Sequence, residues 1–214
     1  MKDKKPAPPT LVLLVRHGLT PTTGVKLPGR ARGLHLSDEG RRQAEAAAAR
    51  IAKIPKVVAV YSSPLERARE TAGMIAKARN MAVRIERGLL ELDIGKWTGM
   101  ALKDAGSKPE WKAVQQHPSG FRFEGGESFT EMQARITGAI ARMVARHPGR
   151  IIVAVSHADP IKAVVAHALG TPLDLFQRIM IGTASITAIA YSPSGAAALT
   201  VNSMDGDLGA LGIK

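Results

Sequence analysis

Three short apolar runs constrain this chain more than any other feature. They are Leu11–Val15, Val57–Tyr61 and Ile151–Val155, and each gives way at once to polar residues and then to a helical pattern. A continuous apolar run of strand length is what a strand buried on both faces requires. Between these runs the apolar period changes. Ser37 can cap a helix opened by Asp38 and Glu39, after which Ala44, Ala47, Ala48 and Ile51 recur at i, i+3, i+4 and i+7. Ser63 and Glu66 have capping-box spacing, with Pro64 at the first helical position, ahead of Ala68, Ala72 and Ile75. Ser128 and Glu131 repeat that spacing ahead of Met132, Ile136, Ala139, Ile140 and Met143. Ile161, Val164, Val165 and Ala168 trace another helix, which Gly170 can end. Val83–Ile85 is a weaker strand, and Pro21–His35 reads as loop. Residues 91–126 read as loops and short helices, and Ser185–Tyr191 with Ala196–Asn202 as a hairpin around Ser-Pro-Ser-Gly. This alternation predicts an α/β fold, a three-layer α/β/α sandwich with a mostly parallel central sheet. Residues 1–10, rich in Lys and Pro, are expected to form a disordered leader, and 11–214 a single domain.

Sheets of this kind bind ligands beyond the carboxyl ends of their strands, so chemistry is expected just after Val15, Tyr61 and Val155. Those places hold Arg16-His17-Gly18, Ser62-Ser63-Pro64-Leu65-Glu66-Arg67 and Ser156-His157-Ala158-Asp159. A single His at a strand end is ordinarily a hydrogen-bonded filler, and a single Arg early in a helix is ordinarily solvated. Their coincidence at three equivalent edges carries the weight. Guanidinium forks match phosphate oxygens, and two of them with a protonated His would neutralise a phosphoryl group in transfer. A neutral His is a competent nucleophile at physiological pH. The leaving alcohol then needs a proton donor. Glu91 and Asp93, in Leu90-Glu91-Leu92-Asp93-Ile94-Gly95-Lys96-Trp97-Thr98-Gly99, are both candidates. In an extended segment they would share one face, so spacing does not choose between them. The plain structural reading of this stretch is an acidic loop anchored by Trp97.

Composition removes several function classes. The 214 residues carry a formal net charge of +12, contain no Cys, and are 45% hydrophobic but only 4% aromatic. The absence of Cys excludes a thiol nucleophile, a Cys-ligated metal and a disulfide scaffold. No apolar run approaches the ~18–20 residues that span a bilayer, and the start lacks a signal-peptide core, so a soluble cytoplasmic protein is expected. The positive charge suits a polyanion partner in principle, but the cations are scattered and aromatic stacking surfaces scarce. No nucleic-acid or membrane partner is expected, and a homodimer is compatible with the sequence.

With these residues in place, the chain resembles the histidine phosphatase superfamily, which includes the cofactor-dependent phosphoglycerate mutases. The resemblance runs from Leu11 to about Asn202. It rests on Arg16-His17-Gly18 with Thr20; on Gly29-Arg30, Leu36-Ser37, Gly40 and Gln43-Ala44; and on Ser62-Ser63-Pro64-Leu65, Arg67 and Thr71. Glu91, Gly95, Trp97 and Gly99, then Gly125-Gly126-Glu127-Ser128, then Ser156-His157 complete the order. The resemblance implies that His17 is the phosphorylated nucleophile, with Arg16, Arg67 and His157 completing the phosphate pocket. It implies Glu91, rather than Asp93, as proton donor and later as general base. It puts Thr23, Glu127, Ser128 and Ala158 on the substrate side, and no metal or other cofactor is expected. Leu19, Thr23 and Ala158 depart from the family pattern, which commonly has an acidic residue, Asn and Gly there. The segment between Glu91 and Gly125 is short beside glycolytic mutases. The expected activity is therefore hydrolysis of a small phosphorylated metabolite, with a phosphomutase as the alternative and a non-catalytic phospholigand binder as the third reading.

Overall fold

A computed structural model of the chain describes residues 8–208 and residue 211. In chain order the main elements are β1 (Thr10–Arg16), α1 (Asp38–Ala52), β2 (Val57–Ser62), α2 (Glu66–Ala78) and β3 (Val83–Ile85). Two short helices follow, α3 (Leu102–Gly106) and α4 (Trp111–Gln116), then α5 (Phe129–Arg146), β4 (Ile151–Ser156) and α6 (Ala158–Leu169). The chain returns through β5 (Ile186–Ser192) and β6 (Gly195–Ser203). The six strands form one sheet in the order β3-β2-β4-β1-β5-β6. The first four run parallel, and β5 and β6 add an antiparallel edge.

Side chains on a strand alternate between faces, and the two faces build two cores. Leu11, Leu13 and Val15 pack with Ala47 and Ile51 of α1 and with Ala68, Ala72 and Ile75 of α2. Val12 and Leu14 pack with Met132, Ile136 and Ile140 of α5 and Ile161 and Val164 of α6. Helices thus cover both faces, giving the three layers expected. The central strand is fully enclosed, so a truncation such as Leu14→Ala should cost ~2–5 kcal/mol of stability.

The leader boundary and one helix start differ from expectation. Thr10 already belongs to β1 and is buried, because its hydroxyl accepts from Gly149 N–H and donates to the His147 carbonyl. Residues 1–7 lie outside the described residues. The Ser63/Glu66 capping box does not form: α2 begins at Glu66 with Leu65 at the cap position and no side-chain cap bond. Ser63 is instead drawn into the cluster described below. The Ser128/Glu131 box forms in full, and Ser37 caps α1 by accepting from Gly40 N–H. His147 is half-buried and bonds the Tyr61 hydroxyl through Nε2 at 2.9 Å.

Among the described residues, no helix is long and apolar enough to cross a membrane.

Candidate active site

Strand register brings the site together. Arg16 pairs with Ser156, and Ser62 with Val155, so β1, β4 and β2 end level. The ladder then runs one bond further, from His17 N–H to the Ser156 carbonyl at 3.0 Å and from Ser63 N–H to the Val155 carbonyl at 3.0 Å. His17, His157 and Ser63 therefore leave the sheet side by side. The two imidazoles stand edge to face, 5.1 Å between centroids. Arg16 leaves β1 on the face shared with Val12 and Leu14, while Arg67 arrives from the second position of α2 on the opposite face.

The loop after His17 fits only because two glycines meet. A Cβ on Gly18 would lie 2.3 Å from the Gly40 carbonyl oxygen, and one on Gly40 would lie 1.9 Å from the Leu19 carbonyl oxygen. Thr71 ties the same loop to α2: its hydroxyl accepts from Gly18 N–H and donates to the Arg67 carbonyl. The loop after His17 and the Arg67 turn are thus one hydrogen-bonded unit.

His17 is held in one orientation. Its Nδ1–H donates to the Gly18 carbonyl at 2.8 Å, which leaves the Nε2 lone pair facing Arg67 Nε at 3.3 Å. Burial, then the Arg67 and Arg16 charges, hold His17 well below the ordinary histidine value of 6.5. The same influences hold His157 well below it too. Both rings are neutral at physiological pH, as a nucleophile must be. His157 Nε2 meets the Ser63 hydroxyl at 2.9 Å, and its Nδ1 lies 4.0 Å from Glu91 Oε2. Arg67 is fully buried, with Nη2 donating to the Gly29 carbonyl at 2.8 Å, and Arg16 Nη1 donates to the Ile181 carbonyl at 2.7 Å. Burial works against both guanidinium charges, and Glu91 offsets part of that cost. Three buried nitrogens of this cluster, Arg16 Nε, Arg67 Nη1 and His157 Nδ1, find no hydrogen-bond partner among the described residues. An unpaired buried polar group costs ~1–3 kcal/mol, and the two free guanidinium N–H groups among the three suit an anionic oxygen.

Glu91 and Asp93 part company. Burial, then the nearby Asp159 charge, push the Glu91 carboxyl up to about 7. Its Oε1 accepts from Leu92 N–H at 2.9 Å. Asp93 turns away, with Oδ2 against Arg30 Nη1 at 3.2 Å and Oδ1 accepting from Gly95 N–H at 3.1 Å. Gly95 itself has φ +49°, and a Cβ there would meet the Glu124 carbonyl at 2.1 Å. The shared face expected of an extended segment is lost because the chain turns here. A carboxylic acid titrating near neutrality beside two arginines and two imidazoles is suited to giving and taking a proton.

The family model described as the histidine phosphatase superfamily (branch 1) matches residues 12–204. The chain belongs to the histidine phosphatase superfamily. Phosphoserine phosphatase 1 of Hydrogenobacter thermophilus is 33% identical over 183 residues, covering 83% of this chain and 85% of the relative. A bifunctional protein of Mycobacterium tuberculosis is 30% identical over 201 residues, and the chain spans only 55% of its length. Among solved structures, a mycobacterial glucosyl-3-phosphoglycerate phosphatase in complex with VO3 is 26% identical, with a TM-score of 0.82 over 90% of this chain and 99% of that one.

The fold brings Arg16, His17, Arg67, Glu91 and His157 into one cluster at the strand ends. Ala158 opens α6 directly after His157. The other expected substrate residues all make hydrogen bonds within the protein. The Thr23 hydroxyl braces its own loop, accepting from Thr20 N–H and bonding the Thr20 hydroxyl. Ser128 spends its hydroxyl on the α5 cap. Glu127 is clamped: Arg135 reaches it with Nε at 2.8 Å and Nη2 at 2.9 Å, and Arg30 Nη2 lies 2.8 Å away. Burial opposes the Glu127 charge, but the Arg135 bonds and the other cationic and backbone donors outweigh it and hold the carboxyl below its ordinary value.

That clamp is what sequence reasoning missed. Arg30 Nε and Arg135 Nη2 both donate to the backbone carbonyl of Glu91, at 2.9 and 3.3 Å. Arg135 also takes the carbonyls of Gly88 and Leu90. Glu127 joins the two arginines, so the trio fixes the stretch of chain that carries Glu91. Ser63 and Asp159 were likewise quoted in the motifs without a role. Nothing local marks these residues, because each acts across 30 or more positions or through a neighbour's charge. Among the described residues, no group of three or more His, Cys, Asp or Glu could hold a metal ion. A larger groove, about 640 Å³, lies at the other end of the sheet around Thr10 and Tyr191 and holds none of the site residues.

Proposed function

We propose that the protein is a cytoplasmic phosphomonoester hydrolase that turns over a small phosphorylated metabolite through a phosphohistidine at His17. The observation that carries this reading is the set of unpartnered buried nitrogens, Arg16 Nε, Arg67 Nη1 and His157 Nδ1, gathered around an oriented neutral His17. The names of the relatives, phosphatases of phosphoserine and of glucosyl-3-phosphoglycerate, support it. In the first step His17 Nε2 attacks phosphorus while the ester oxygen leaves with the Glu91 proton. Arg16, Arg67 and His157 stabilise the charge spread over the equatorial oxygens. In the second step Glu91, now ionised, takes a proton from water as it attacks the phosphohistidine. Phosphate and neutral His17 are released, and Glu91 is protonated again. The sequence reading of no nucleic-acid partner, with a homodimer compatible, belongs to the same proposal.

The test is a panel of phosphomonoesters in the presence of a chelator, scored for free phosphate and for isomerised ester in the same samples. The expected result is stoichiometric phosphate release that His17→Ala abolishes. Isomer without free phosphate would assign a phosphomutase instead, and specific binding with no turnover would assign a phospholigand binder.

A further inference from the structure

The short-helix segment between β3 and α5 encloses a cleft of about 200 Å³ beside Glu91. Leu92, the next residue along, lines it, and so does Asp159, the residue whose charge bears on Glu91. The cleft has two unlike walls. Trp97, Trp111 and Phe123 form an apolar one, and Asp159, Lys162 and Gln177 a polar one. The apolar wall uses a scarce resource. The chain is 4% aromatic, yet all four Phe and both Trp fall in one continuous run of ring contacts that ends at this cleft. Trp111 stacks on Trp97, 6.3 Å between centroids and 18° between planes, and stays half-buried rather than sealed in the core.

The polar wall is built rather than solvated. The Lys162 side chain is only 16% exposed, and its ammonium donates to Asp159 Oδ1 at 3.2 Å and to Gln177 Oε1 at 3.0 Å. An ammonium has three protons, a carboxylate two oxygens and an amide two N–H groups, so each member keeps hydrogen-bonding capacity beyond these bonds. The Lys162 and Asp159 charges offset one another, so the wall favours neutral hydroxyls over a second ionised group. The volume lies below the ~300–1,000 Å³ of pockets for drug-sized ligands, which limits the occupant to about one ring.

We propose that this cleft seats the alcohol portion of the substrate, and that this alcohol is a cyclic polyol of monosaccharide size. Its apolar ring face lies on the Trp97–Trp111 wall and its hydroxyls on Asp159, Lys162 and Gln177. The inference rests on the hydrolase reading for the phosphate half of the substrate and adds the half that leaves.

Both tryptophans of the chain line the cleft, so intrinsic fluorescence reports its occupancy directly. His17→Ala protein, which cannot turn over substrate, is titrated with a series of monosaccharide phosphates, with glycerol 3-phosphate and with inorganic phosphate. The expected result is a saturable change in tryptophan emission for at least one monosaccharide phosphate, absent with inorganic phosphate. Lys162→Met and Gln177→Leu, each introduced into that protein, should weaken that binding about tenfold. Monosaccharide phosphates that change emission no more than inorganic phosphate, or that bind both variants as tightly as their parent, would overturn the proposal. Phosphate release from p-nitrophenyl phosphate by the wild-type protein, run in parallel, tests the hydrolase reading separately. The fluorescence result decides the cleft whichever way that assay falls.

Discussion

The strand-end floor of the site and the wall that starts at Glu91 are held by different means. On the floor, His17, Ser63 and His157 emerge from adjacent parallel strands in register, and backbone hydrogen bonds fix them before any side chain contributes. The wall, residues 91–128, has no strand to hold it. It is fixed by an ion-pair clamp of Arg30, Glu127 and Arg135 and by packed aromatic rings. A floor set by the sheet can serve one chemistry for any phosphate ester. A wall set by side chains can change with the alcohol it accommodates while the floor stays as it is. Damage to the floor should therefore lower every turnover, and damage to the wall should depend on the leaving group.

The largest effect belongs to the nucleophile. His17→Ala should reduce hydrolysis by at least ~10³-fold for alkyl and aryl phosphates alike, measured as steady-state phosphate release. Glu91→Gln comes next and discriminates. It should cost ~10²–10⁴-fold on alkyl phosphates, whose alkoxide needs a proton, and far less on p-nitrophenyl phosphate, whose phenolate leaves unaided. The pH profile carries the same signature. Glu91 must be protonated for the first step and its carboxyl is pushed up to about 7 in the free protein, so kcat/KM for alkyl esters should fall as pH rises above that value. His17 is held well below 6.5, so no matching loss is expected on moving down through 6.5. In Glu91→Gln the alkaline limb should vanish.

Glu127→Gln probes the clamp rather than the acid itself. Misplacing the Glu91 backbone should cost up to ~10²-fold on alkyl phosphates and spare the aryl ester. Equal loss on both would mean that Glu127 merely supports the fold. The smallest effect is expected at Ser128→Ala, which removes the α5 cap. It should lower stability by ~1 kcal/mol in a denaturant titration while KM stays within about twofold. A raised KM there would return Ser128 to the substrate side and blur the line between wall and scaffold.

The same contrast explains what was legible in the sequence. The strands, the helix faces and Gly170 as a C-cap could be read because each follows from local periodicity or a local backbone need. The floor residues could be read because strand ends in such a sheet must lie together. Spacing could not choose Glu91 over Asp93, which the family resemblance alone favoured, since the difference depends on the turn at Gly95 and on Arg30, which sits 63 positions from Asp93. Ser63 shows the opposite error: its capping-box spacing was genuine, but β2 runs one residue longer than its apolar stretch, and Ser63 follows it into the site. Glu127 was expected near the substrate for its motif, and no local signal marked its bonds to Arg30 and Arg135. The excess of positive charge is likewise partly structural. Arg50 bonds the carbonyls of Ser203, Asp205 and Gly206, and Arg79 that of Ala52, so these cations hold backbone at and after the ends of β6 and α1.

The central claim is that a buried, neutral His17 carries the phosphoryl group between two displacements. Rapid acid-free quenching of wild-type enzyme turning over a ³²P-labelled phosphomonoester tests it most directly. The account predicts label on the protein that is acid-labile and base-stable, that maps to His17 and that disappears in His17→Ala. Steady turnover with no label at any quench time, or label retained by His17→Ala, would contradict it.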